Sequence, residues 1–218
     1  MSINTSAYAA LQNAIPTSVT MVAVSKTKPV EDIQELYHLG QRDFGENYVQ
    51  ELVEKQTQLP SDIRWHFIGH LQSNKVKYIV PFVHLIHGVD SLKLLKEINK
   101  QAAKIGRVIN CLLQVHIASE ETKFGFDEAE LKALGNLDEL ANIKVVGLMG
   151  MASFSDDLDL VAKEFAGLKQ LFDEMNKGFA DDNQLSILSM GMSSDYQLAI
   201  NQGSNMIRIG SLLFGARK

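Results

Sequence analysis

Val22-Ala23-Val24-Ser25-Lys26-Thr27-Lys28-Pro29 is a short apolar run that ends in two lysines and a proline. A run of this length closed by a turn signal reads as a buried β-strand, and Pro29 ends it. Residues 30–40 then change to helical spacing, with Ile33, Leu36, Tyr37 and Gly40 in register. This strand-then-helix unit recurs along the chain. Strand-like segments are predicted at 19–25, 43–45, 64–68, 83–89, 108–117, 144–149, 185–190 and 206–209. Helical segments are predicted at 30–40, through Tyr48, Leu52 and Val53, and at 74–80, 91–104, 127–140, 158–176 and 194–201. The strand segments are continuous apolar runs rather than alternating ones, as expected where helices cover the sheet. Eight such units in 218 residues predict an α/β fold, a single-domain (β/α)8 TIM barrel spanning residues 1–218. No Pro/Gly/Ser-rich linker divides the chain. An open doubly wound sheet is the alternative, and it requires strand-order reversals that sequence does not display.

Composition narrows the function. Hydrophobic residues make up 45% of the chain, enough for a substantial core, and the net charge is −5 with a pI near 5.7. No basic run argues for nucleic acid, so a small anionic ligand would need a local cationic pocket. The one cysteine, Cys111, excludes an internal disulfide and fits a reducing, cytoplasmic setting. It lies in the apolar run 108–115 and is expected to be a buried, inert thiol. Residues 1–16 lack the basic-then-apolar pattern of a signal peptide, and no apolar run approaches the roughly 18 residues of a membrane span.

In a barrel of this kind the C-terminal strand ends build the site. Lys26 is at the tip of the first strand, where a desolvated ammonium drops in pKa and the neutral amine can attack an aldehyde. The ends of strands seven and eight carry Ser189-Met190-Gly191-Met192-Ser193-Ser194-Asp195 and Arg208-Ile209-Gly210-Ser211. Small residues and hydroxyls just before a helix favour a phosphate: glycines permit close backbone approach, and exposed N–H groups meet the anion. With a strand-one lysine they suggest a phosphorylated aldehyde. Ser193 can offer its N–H and hydroxyl, and Gly210 and Ser211 their N–H groups.

Other features read as structure. His66 and His70 are four apart, but His66 lies in a strand and Gly69 breaks the segment, so no metal site is expected. His84 and His87 read as satisfied interior or rim histidines. Lys123 reads as a solvated loop lysine, with a rim cation that meets phosphate as the alternative. Asp127, Glu128 and Glu130 read as a solvated face near a helix N-terminus.

The chain resembles the pyridoxal-phosphate homeostasis protein family, related to the N-terminal barrel of bacterial alanine racemases and the barrel of eukaryotic ornithine decarboxylases. The matching motifs are Ala23-Val24-Ser25-Lys26-Thr27-Lys28, the run 44–51 around Gly45-Glu46-Asn47-Tyr48, and the run 65–75 around His66-Phe67-Ile68-Gly69-His70. Gly147-Leu148-Met149, the run 188–195, Arg208-Ile209-Gly210-Ser211 and Phe214-Gly215-Ala216-Arg217 follow in order. The match covers the chain from about residue 20 onward. His70, where the family varies, and Ser194, where a second aspartate is frequent, are minor departures.

The resemblance implies a Schiff base between Lys26 and pyridoxal 5′-phosphate (PLP), with phosphate contacts from Ser193, Gly210 and Ser211. It places Arg208 against the pyridine nitrogen, and Asn47 and Met149 beside the ring. An arginine there stays charged and cannot take the ring proton, which disfavours the electron sink that amino-acid chemistry needs. A racemase also needs a second acid–base group across the ring, which in the racemases comes from a second domain of a partner subunit. The sequence runs only a few residues past the eighth unit, so that group is not expected here. The expectation is a monomeric cofactor carrier with no catalytic residue that hands PLP to PLP-dependent apoenzymes. The alternatives are a PLP-dependent amino-acid racemase or other weak PLP enzyme, and a cofactor-free Schiff-base aldolase.

Overall fold

The computed structural model describes residues 3–119, 124–135, 137, 139–177 and 184–215. Eight parallel strands close into a barrel in the order β1 to β8: Thr20–Val24, Asp43–Glu46, Arg64–Phe67, Leu85–Val89, Ile109–Val115, Ile143–Gly150, Ile187–Met192 and Met206–Ile209. β1 pairs with β8 to close the ring, with Val22 opposite Arg208. The predicted (β/α)8 barrel is therefore the fold, and the open sheet is excluded.

The helices differ from expectation mainly at the edges. α1 (Thr5–Ala14) precedes the barrel and was not anticipated. It buries only Tyr8 and Leu11 among polar residues, too few to mark a helical period. Asn4 starts it, its side chain accepting from the Ala7 N–H. The Asn4 N–H in turn donates to the Leu213 carbonyl of α9 (Ser211–Phe214), tying the start of the described chain to its end. α9 occupies the stretch expected as a tail, and a single turn is too short to show periodicity. α2 (Val30–His38), α3 (Val49–Gln56), α4 (Val76–Ile79, after a 3-10 turn), α5 (Leu92–Ala103), α7 (Leu158–Asn176) and α8 (Tyr196–Asn201) follow the predicted spans within a few residues. α6 is shorter than predicted, Glu128–Ala133 rather than 127–140. Asp127 and Glu130 form a capping box at its start, each side chain accepting the other's backbone N–H. Leu134, Leu137 and Leu140 keep the apolar spacing past its end and pack on the core, the Leu134 and Leu140 N–H groups donating to carbonyls three residues back. Asn136 and Asp138, within the predicted span, lie outside the described residues.

Two apolar layers hold the barrel. The outer one packs α-helical residues such as Ile33, Leu52, Leu95, Ile98 and Phe165 against outward strand residues Phe44, Phe67, Ile86 and Ile207, all essentially without solvent contact. Truncating one of the leucines, for example Leu95→Ala, removes a transfer contribution and leaves a cavity, about 2–5 kcal/mol together. Cys111 lies in this layer, and burial pushes its thiol far up, so it is inert as expected. The inner layer is smaller: Val22, Leu85, Leu112, Val146, Met149 and Met206 fill the lumen. No helix among the described residues is long and apolar enough to cross a membrane.

Candidate functional site

A cavity of about 440 Å³ opens where the strands end, within the range of small-molecule sites. Val24, Lys26 and Lys28 line it from β1, Asn47 from β2, Ile68 from β3 and Met151 from β6. Met192, Ser193 and Ser194 come from β7, and Arg208, Gly210 and Ser211 from β8.

The Lys26 side is built on a strained turn. The Lys28 N–H donates to the Ser25 carbonyl at 3.0 Å, closing a four-residue turn with Lys26 second and Thr27 third. Thr27 has φ of 63°, a conformation that a β-branched residue enters only at a cost. A buried polar cluster holds it there. The Thr27 N–H donates to Glu51 Oε1 at 2.6 Å, and Lys55 Nζ donates to the same oxygen at 2.6 Å. Lys55 Nζ also donates to the Ser25 carbonyl at 2.8 Å and to Glu46 Oε1 at 2.8 Å, where the Ser25 hydroxyl donates as well, at 2.6 Å. Glu46 points outward from β2 toward α3, which is why Lys55 can meet it. Burial raises the Glu46 pKa, and the Lys55 and Ser25 contacts oppose that rise. Lys28 Nζ donates to the Phe214 carbonyl at 2.8 Å.

The opposite wall comes from β7 and β8. Gly191 has φ of 95°, and a Cβ there would stand 2.5 Å from that of Ala199. Only glycine lets the chain turn this tightly onto α8 and deliver Ser193 to the cavity. The Gly210 N–H donates to Ser193 Oγ at 3.1 Å, so the two predicted phosphate contacts converge across adjacent strands. The serine hydroxyl keeps its own hydrogen to donate. Ser211 opens α9 beside them.

Arg208 is buried beneath. Its Nη1 donates to the Ser189 carbonyl at 3.0 Å and hydroxyl at 2.7 Å, and its Nη2 to the Gly150 carbonyl at 3.0 Å. Burial lowers its pKa to about 10, with Asp195 opposing, so it remains a cation at neutral pH.

Six of the seven predicted cofactor-binding residues thus meet in one cavity: Lys26, Asn47, Ser193, Arg208, Gly210 and Ser211. Met149 does not. It packs in the inner apolar layer, and Met151, two residues on and on the same face, is at cavity level. β6 runs on through Gly150, one residue past its predicted end. The sequence reading also missed the cavity role of Phe154, an exposed aromatic that carried no motif signal. Lys123, and the Ala216-Arg217 end of the closing motif, lie outside the described residues. His66 and His70 do not converge: His66 contacts His87 and Asp43, while His70 contacts Asp90. No cluster among the described residues could hold a metal ion.

A phosphorylated pyridine aldehyde fits these donors. Asn47 Oδ1, on the cavity wall, is buried and has no hydrogen-bond partner among the described residues. Such an atom is costly unless a ligand or water satisfies it.

The fold and the cavity define a class: (β/α)8 barrels that bind a small anionic ligand where the strands end. Residues 5–218 match the family described as alanine racemase, N-terminal domain. The pyridoxal phosphate homeostasis protein of Aquifex aeolicus is 43% identical over 200 residues, covering 91% of this chain and 87% of its own. That of Synechocystis is 39% identical over 215 residues, covering 97% and 98%. Among solved structures, PipY of Synechococcus elongatus with PLP bound superposes with a TM-score of 0.88 at 39% identity, covering 96% and 99%. An alanine racemase of Clostridium difficile shares the fold, with a TM-score of 0.80 at 16% identity, and this chain covers 58% of it. The chain belongs to the alanine racemase N-terminal domain family and, within it, to the pyridoxal phosphate homeostasis proteins.

Proposed function

We propose that this protein binds pyridoxal 5′-phosphate at the strand ends of its barrel, holds it as a Schiff base on Lys26, and serves intracellular PLP homeostasis by delivering the cofactor to apoenzymes. The observation that carries this reading is the meeting of Lys26, the Ser193–Gly210 pair and Arg208 in one cavity. Its PLP-bound relative PipY supports it. When bound, the group supplies an aldehyde and an electron-withdrawing ring. Lys26 provides the amine, Ser193, Gly210 and Ser211 receive the phosphate, Asn47 borders the ring, and Arg208 donates toward the pyridine nitrogen.

The lining supports carriage rather than turnover. Among the described residues it contains no tyrosine, histidine, cysteine or carboxylate that could serve as a second acid–base group. Arg208 is a donor that stays charged and cannot accept the ring proton. The protein acts as a cytoplasmic monomer in this reading.

Visible absorbance of purified protein with PLP tests it. A band at about 420 nm, usual for PLP bound to a lysine, is expected. Lys26→Ala abolishes the band and the borohydride-trapped adduct, and Lys28→Ala keeps both. Loss of the band in Lys28→Ala but not in Lys26→Ala overturns the lysine assignment. Steady alanine racemisation at roughly 1–1000 per second overturns the carrier reading in favour of an enzyme. A colourless protein that forms a trapped adduct with a sugar phosphate favours a cofactor-free aldolase.

A further inference from the structure

Barrels of this kind usually fill their lumen with Val, Ile and Leu. Here four inward positions on β3, β4, β7 and β8 are His66, His87, Ser189 and Arg208, all buried. They touch in sequence. Arg208 Nη1 lies 2.7 Å from Ser189 Oγ, and Ser189 Oγ lies 3.3 Å from His87 Nδ1, a contact that crosses the lumen from β7 to β4. His87 Nε2 lies 2.9 Å from His66 Nδ1, and His66 Nε2 lies 3.0 Å from Asp43 Oδ1 on β2. Arg64 Nε donates to the same Asp43 oxygen at 2.7 Å. Asp43 and Arg64 line a second cavity of about 360 Å³, formed by residues that precede β1, β2 and β3. The chain of contacts therefore runs the length of the barrel.

Its ends fix its direction. Arg208 can only donate, and an ionised Asp43 can only accept. Burial pushes Asp43 up, but the hydrogen bonds with His66 and Arg64 outweigh it and hold the carboxyl at about 2. A neutral His66 facing it carries its hydrogen on Nε2, and its Nδ1 then accepts from His87 Nε2–H. His87 in turn accepts at Nδ1 from the Ser189 hydroxyl, which itself accepts from Arg208. Burial keeps the His87 pKa well below its usual value, consistent with a neutral ring.

We propose that Ser189, His87, His66 and Asp43 form a one-way donor chain across the barrel that sets the position of Arg208, making His87 and His66 positioning residues for the cofactor ring. The inference rests on the cofactor reading of the cavity. It goes beyond that reading in giving a role to interior polar residues that never touch the ligand. Aligned hydrogen bonds strengthen one another in a low-dielectric interior, so the guanidinium feels the far end of the chain.

Two measurements decide it. The first needs no cofactor: ¹⁵N-histidine NMR of the free protein at neutral pH, with signals assigned through His87→Gln and His66→Gln. Nε2–H tautomers for both rings support the chain. A hydrogen on His87 Nδ1, or a cationic His66 donating both ways, overturns its direction and the proposal. The second is the visible spectrum and PLP release rate of His87→Phe and Ser189→Ala. Both should shift the band and release PLP roughly tenfold faster, the equivalent of one charge-assisted hydrogen bond. Leu85→Ala, which disturbs the same lumen outside the chain, should cost stability and leave the spectrum alone. Wild-type spectra in both chain variants overturn the proposal, and if His87→Phe does not fold, Ser189→Ala carries the spectral test. A wild-type protein without the band strikes the cofactor reading instead, and the tautomers still decide the chain.

Discussion

The two walls of the cavity hold their cations by opposite means. Behind Lys26 stands a buried charged cluster, with Lys55 shared between Glu46 and Glu51. Behind Arg208 stand neutral acceptors, two carbonyls and a hydroxyl, and among the described residues it makes no ion pair. The difference suits what the proposed function asks of each cation. On the proposed reading, Lys26 reacts from a turn that must be held firmly. Glu46 Oε1 and Glu51 Oε1 accept from Lys55, the Ser25 hydroxyl and the Thr27 N–H, while Glu46 Oε2 is buried without a hydrogen-bond partner among the described residues. An arginine that only donates is served well by carbonyls, which orient it without neutralising its charge.

The sharpest way to break this contrast is to remove the central cation of the lysine side. Lys55→Met strands Glu46, whose pKa burial already raises, and the expected loss is about 3–5 kcal/mol by urea unfolding. The double variant Glu46→Gln/Lys55→Met should recover most of it, since the carboxylate that remains, Glu51, is partly exposed and keeps the Thr27 N–H. Arg208→Met leaves only neutral acceptors unpaired, so its expected cost is smaller, about 2 kcal/mol. If Arg208→Met proves the more damaging, the two walls do not differ as argued.

How much of this was legible beforehand follows from where each signal lives. Strand–helix alternation is a local pattern, and all eight strands were legible in order because short strand-like segments recur between helical ones, even where, as at Asp43–Glu46, the strand is mostly polar. The convergence of Lys26, Ser193, Gly210 and Arg208 was legible because a closed barrel collects strand ends at one mouth. Thr27, Lys55 and the histidine chain were not. Nothing local marks Thr27 as left-handed, and Lys55 looks like any helix lysine until α3 brings it over Glu46. His87 and Ser189 are about a hundred residues apart and meet only across the closed lumen. Met149, expected beside the ring from the resemblance alone, packs in the inner apolar layer, two residues before Met151 at cavity level.

Acid unfolding sharpens the contrast from the arginine side. The Asp43 carboxyl is held at about 2, below its ordinary 3.8. A depressed carboxyl contributes stability that is complete above its unfolded value and disappears as pH falls through its folded one. Stability should therefore decline between about pH 4 and pH 2, by at most about 2 kcal/mol from this group. Asp43→Asn should flatten that acid limb in urea titrations at stepped pH. A limb of unchanged slope would show that other carboxyls carry it, and that the barrel's polar axis contributes little to stability.

The smallest effect asked of the lysine side concerns Thr27. Its φ of 63° costs a β-branched residue roughly 1–2 kcal/mol, whereas glycine adopts the same angle freely. Glycine also loosens the unfolded chain, which takes back about 0.4–1 kcal/mol. Thr27→Gly should therefore raise stability by up to about 1 kcal/mol, read as a higher urea midpoint at unchanged slope. The Thr27 N–H donor to Glu51 survives the change, so the cluster behind the turn keeps all its partners. Any change in the rate at which Lys26 takes up PLP then reports the turn's conformation alone. Faster uptake and release with a raised midpoint would mean the strain serves to hold the lysine still. A lowered midpoint would mean the threonine side chain contributes a contact that outweighs the strain of its backbone.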